Sequence, residues 1–70
     1  MITLFFNGTH NGDAFHSKVT VRDETFLNVQ VVSFDKESGE PVEEYERLVS
    51  RNDYTPKQAG RAVIRNPFNF

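Results

Sequence analysis

Three side chains near the N-terminus have the types and spacing of a metal site. His10, Asp13 and His16 form a His-x2-Asp-x2-His cluster, and two imidazoles with a carboxylate suit a divalent transition metal. The surrounding sequence argues against that use. Asn11-Gly12 is a turn dipeptide, a short loop rarely converges three ligands, and His16 falls on a strand face that reads as solvated. Glu40, Glu43, Glu44 and Glu46 offer acid–base pairs on paper. General acid–base work needs a pocket that shifts a carboxyl pKa, and a run of glutamates on a wet face supplies none. The chain has no cysteine, nucleophile elbow, phosphate-cradling glycine loop or dinucleotide fingerprint. Ser17, Ser33, Ser38 and Ser50 stand in no nucleophile context. The expectation is a protein that is not an enzyme and has no catalytic residue, metal ligand or cofactor.

Charge carries more information. The net charge is −2, but it is segregated. Residues 35–46 hold Asp35, Glu37, Glu40, Glu43, Glu44 and Glu46 against Lys36 alone. Residues 47–70 hold Arg47, Arg51, Lys57, Arg61 and Arg65 against Asp53. Such asymmetry shapes the surface field and so the choice of partner. The acidic block suits a protein partner with a basic surface, where charge complementarity gives fast, specific association. Phe68 and Phe70, on a tail behind Pro67, suit an aromatic anchor in a partner groove, or else fold back to cover the sheet. The basic half supports an alternative. Lys57, Arg61 and Arg65 recur at i, i+4 and i+8 with Gln58 beside them and Thr55 at the start, the layout of a nucleic-acid-binding helix. The net acidic balance and the glutamates upstream oppose it.

These residues must be positioned by local structure. The organising stretch is Phe26–Phe34, dense in β-branched and aromatic residues. Leu27, Val29 and Val31 alternate with Asn28 and Gln30, while Val32 and Phe34 add apolar surface to the other face, so this strand belongs near the centre of a sheet. Alternation also marks strands at about 1–6 and 15–22, with a loop over 7–13 at two Asn-Gly dipeptides. Sequential strands are usually neighbours, which predicts a meander. Beyond a turn at 35–41, Val42, Tyr45, Leu48 and Val49 recur at helical spacing, with Glu43 placed to pair Arg47 at i, i+4. Thr55-Pro56-Lys57-Gln58 is a capping-box start for a helix over 56–65, weakened by Gly60.

The chain of 70 residues thus predicts one α+β domain. It has a three-stranded antiparallel meander (about 1–6, 15–22, 26–34) followed by two short helices (about 41–51, 56–65). The alternative is a four-stranded sheet with a 27–49 hairpin and one C-terminal helix. Strict alternation in that hairpin would group Tyr45 and Val49 with Arg47, or Leu48 with Glu44 and Glu46, a poor mixture for a buried face. The expected core is Ile2, Leu4, Phe6, Phe15, Val19, Val21, Leu27, Val29, Val31, Tyr45, Leu48 and Val49. With no signal peptide or apolar span in view, the expectation is a cytoplasmic protein. Its role would be that of a small binding protein, an inhibitor or accessory factor of the phage-encoded kind, docking on a larger protein through the acidic residues. The runner-up is a helix-turn-helix-like nucleic-acid binder over 41–65.

Overall fold

A computed structural model describes residues 2–68. Four strands, β1 (Thr3–His10), β2 (Asp13–Val21), β3 (Phe26–Phe34) and β4 (Pro41–Ser50), are followed by one helix, α1 (Pro56–Arg65). The strands form an antiparallel meander in the order β1-β2-β3-β4, and α1 packs across β1 and β2 on one face. This is the four-stranded alternative, so the expected three strands with two helices is corrected. Among the described residues no helix is long and apolar enough to cross a membrane.

The error lies at 41–51, expected as helix and found as strand. The objection to a strand was that Arg47 would share a buried face with Tyr45 and Val49. It does share that face, since Val31, Val29 and Leu27 pair with Tyr45, Arg47 and Val49. But β4 is an edge strand, and α1 lies over the other half of the sheet. Arg47 therefore reaches solvent while its guanidinium stacks over the Tyr45 ring, 5.4 Å from the centroid. Long cationic side chains bury their stems and keep their heads wet. Glu43 and Arg47, four residues apart along a strand, stand about 13 Å from each other and cannot make the expected helical pair.

β1 is longer than expected and the loop shorter. Asn11 and Gly12, at φ 53° and 87°, form the two-residue type I′ connection that joins twisted strands most easily. Asn7-Gly8 makes no turn. Gly8 lies opposite Phe15, and a methyl group there would stand 2.6 Å from Phe15 Cζ. The glycine is room for a core ring. Asp23 closes the β2–β3 turn by accepting the backbone N–H groups of Thr25 and Phe26, each at 2.8 Å. Asp35 does the same for Glu37 and Ser38, at 2.7 and 3.0 Å.

Helix α1 starts as its sequence predicts. Thr55 Oγ1 accepts from the Gln58 N–H at 3.2 Å, and Gln58 Oε1 accepts from the Thr55 N–H at 2.9 Å, which satisfies two donors that the first turn leaves open. Gly60 is buried, and the Phe6 ring lies against its backbone. The residue that weakens the helix is the one that lets it sit on β1.

The core is Phe15, Val19, Leu27, Val29, Val31, Ala59 and Val63, each large side chain contributing about 1.5–3 kcal/mol by burial. Phe6, Val21, Tyr45, Val49, Tyr54 and Phe68 pack around it. Leu4 is half-buried. Ile2 and Leu48, expected inside, are exposed. Ala59 and Val63 were not anticipated as core. Among the described residues no layer covers the sheet face away from α1, so the two-sided apolar pattern of β3 reflects a central strand with one covered face.

Candidate functional site

The strand register decides which charged side chains act together. Glu44 and Glu46 alternate with Tyr45 and Arg47, so both project from the open face of β4, about 6.6 Å apart along the strand. Glu43 projects from the face that carries α1. Asp35, Glu37 and Glu40 belong to the β3–β4 turn. The acidic block therefore occupies one hairpin at one edge of the sheet.

Its members differ in freedom. The N–H groups of Ser38 and then Glu37 hold the Asp35 carboxyl below its ordinary value, because hydrogen bonds to the charged form favour it. Asp35 is thus spent on the turn. Gln30 Nε2 donates to Glu46 Oε2 from the neighbouring strand. The side chains of Glu37, Glu40, Glu43 and Glu44 are all exposed, and none makes a hydrogen bond or ion pair among the described residues.

The open face itself is shaped. Cross-strand rows run Phe5–Lys18–Gln30–Glu46 and Asn7–His16–Val32–Glu44. All of these but Asn7 line an open concavity of about 630 Å³ with Phe5 on one side and the two glutamates on the other. β1 and β4 are three strand spacings apart, about 14 Å, which admits a helix or an extended segment. His16 Nδ1 bonds Asn7 Oδ1 at 2.7 Å, and its ring stands edge-on to Phe34 at 5.4 Å. The trough is open and lined by mixed apolar and charged groups.

The other expected residues fall elsewhere. The helix-turn-helix over 41–65 does not form, because its first helix is β4. Thr55 and Gln58 are engaged with each other at the helix cap. Lys57, Arg61 and Arg65 are exposed on α1, on the opposite side of the molecule from the trough. Phe68 folds back on the core, with its ring 5.8 Å from Tyr45 and 5.6 Å from His10. Tyr45 O–H donates to the Pro67 carbonyl beside it, and burial raises the Tyr45 pKa against the opposing pull of Arg47. Phe70 lies outside the described residues. His10 and Asp13 face α1 while His16 faces the trough, so the three side chains do not converge, and no group of metal-ligating side chains occurs among the described residues.

Two features of the site escaped the sequence reading. Phe5 was left out of both the expected core and the expected site, and its cross-strand neighbour Lys18 was given no role. The signal was present in the alternation: once residues 41–50 are strand, Phe5, Lys18, Gln30 and Glu46 share a row. No protein-family model matches the chain, and no curated protein or solved structure shows significant similarity to it.

Proposed function

We propose that the protein is a non-enzymatic binding module that docks on a larger protein through the acidic β3–β4 edge and the trough beside it. The observation that supports this reading is the pairing of Glu44 and Glu46 with Phe5 and Val32 across one open concavity. A lysine or arginine side chain suits such a surface: its stem covers the apolar residues and its head meets the carboxylates. Glu37 and Glu40 at the hairpin tip extend the same negative field along the edge. A partner with a basic, partly apolar segment is the matching chemistry, and occupation of that segment would make the protein an inhibitor or accessory factor.

The test is association kinetics. Wild type and a Glu44→Lys/Glu46→Lys variant are compared, first with a lysine-rich amphipathic peptide as probe and then with the partner recovered from the native host. Binding should slow as salt rises, because exposed charges are screened over about 8–10 Å near physiological ionic strength. The charge reversal should slow association at low salt while leaving the fold intact, both side chains being exposed. Equal association rates for the two proteins at low salt would reject the acidic edge as the contact.

A further inference from the structure

We propose that a second copy of the chain pairs with β1 along its free edge, joining two four-stranded sheets into one sheet of eight strands about a twofold axis. The backbone supplies the first argument. The Val21 N–H donates to the Ile2 carbonyl at 2.9 Å, which makes Ile2–Val21 a hydrogen-bonded pair. Such pairs alternate along an antiparallel ladder. With the observed register, Leu4, Phe6, Gly8 and His10 direct their N–H and C=O groups to β2. Thr3, Phe5, Asn7 and Thr9 direct theirs outward. Among the described residues no other strand pairs with that side.

The contrast between the two sheet edges supplies the second. Edge strands are ordinarily guarded against further pairing by charge or proline. β4 carries Pro41, Glu43, Glu44, Glu46 and Arg47. From Ile2 to His10 there is no proline and no Asp, Glu, Lys or Arg. A twofold axis brings identical groups together, which an uncharged strand tolerates and the glutamates of β4 would oppose. The unguarded edge is also flanked by apolar side chains. Phe5 is 75 % exposed, Ile2 61 % and Ile64 43 %, and Ile64 lies one turn beyond Gly60, the residue that rests on Phe6 of β1.

Geometry narrows the pairing. Residues directly opposite each other in an antiparallel pair point to the same face, so odd-numbered β1 residues must meet odd-numbered ones. With the axis at Phe6, Thr3 faces Thr9 of the second copy and Phe5 faces its Asn7. This register satisfies the outward N–H and C=O of Thr3, Phe5, Asn7 and Thr9 in both strands. It leaves the two Phe5 rings as diagonal neighbours about 7–8 Å apart, within aromatic reach. Because α1 lies over β1 and β2, the two helices come within about 10 Å, the spacing of packed helices. The acidic edges stay free at the two ends of the joined sheet, so this pairing does not rest on their function.

Sedimentation velocity over a micromolar-to-millimolar series tests it, together with amide exchange by NMR on the same samples. The sedimenting mass should rise from 8.1 kDa toward twice that value. The amides of Phe5, Asn7 and Thr9 should change from fast to slow exchange over the same range, while those of Phe6 and Gly8 are protected throughout. Phe5→Glu, at an exposed position opposite Lys18, should weaken self-association about tenfold or more by placing like charges diagonally across the axis without lowering the melting temperature. Leu48→Lys on the far strand should leave it unchanged. A monomer at millimolar concentration, a dimer that survives Phe5→Glu, or protection of these amides only when an unrelated extended peptide is added would each overturn the proposal.

Discussion

Replacing Gly60 with alanine separates helix propensity from packing. In an exposed helix interior the change would stabilise by about 1 kcal/mol. Here the added methyl would stand 2.5 Å from Phe6 Cε1 and closer still to Cζ and Cε2. Ring or helix must move, and overpacking of this kind costs about 1–3 kcal/mol. Taking about 2 kcal/mol for the clash against about 1 for propensity, the net loss is about 1 kcal/mol, or about 4–8 °C in a domain of this size. The decisive measurement is a double-mutant cycle by thermal melting. Phe6→Leu removes the ring atoms that meet the methyl, so Gly60→Ala in that background should raise the melting temperature by about 4–8 °C. The change of sign, a coupling of about 2 kcal/mol, is the signature of direct contact. If Gly60→Ala stabilises the wild type by the same amount as the Phe6→Leu variant, the helix does not rest on Phe6 and the packing described for α1 on β1 is wrong.

Two further outcomes follow from buried and turn-closing polar groups. Ser17 is buried beneath α1 with no hydrogen-bond partner for its Oγ among the described residues, so Ser17→Ala should stabilise by about 1 kcal/mol; a lower melting temperature would mean that the hydroxyl is satisfied. Asp23 is held below its ordinary value near 3.8 by the N–H groups of Thr25 and then Phe26, with Arg22 and Arg51 adding to the effect, and Asp35 is held below the same value by Ser38 and Glu37. A folded pKa below the unfolded one gives stability that is present above about pH 4 and is lost as pH falls through the folded value. Melting temperature should therefore drop less between neutral pH and about pH 3 in an Asp23→Asn/Asp35→Asn variant than in wild type, and parallel profiles would show that these carboxylates do not hold the turns.

Much of the fold was legible because local chemistry and burial agreed. Phe26–Phe34 and Pro56–Arg65 have the limits expected of them, the first from alternation and turn-formers, the second from a capping box that forms as written. The boundaries of β1 were not legible because Gly8 has two uses. A glycine after asparagine suits a turn, and only the position of Phe15 makes it a gap for a ring. Strand β4 was hidden by a different ambiguity. Val42, Tyr45, Leu48 and Val49 satisfy helical spacing, and alternation mixes charge with apolar residues on both faces. That mixture excludes a strand covered on both sides, but it is what an edge strand beyond the reach of the helix carries. Whether β4 is such a strand depends on where α1 lies, which is a tertiary fact.

The same tertiary fact determines the candidate site. On a helix, Glu40, Glu43, Glu44 and Glu46 would share one wet surface near a positive dipole end, and their clustering would have an ordinary electrostatic cause. On an edge strand that cause is absent, and the glutamates divide: Glu44 and Glu46 go to the open face, and Glu43 to the other. Charge on an edge strand also has a protective use, since it keeps sheets from joining, and this alone would account for a lysine as well as for a glutamate. What protection does not account for is the sign. Every acid of residues 35–46 lies on one hairpin, and the glutamates on its open side meet Phe5 and Val32 across the trough. A protective charge should tolerate reversal, and a recognition charge should not. The Glu44→Lys/Glu46→Lys protein therefore distinguishes the two uses: it should stay as soluble as wild type in either case, and it should lose its preference for a basic partner only if the edge is there to bind one.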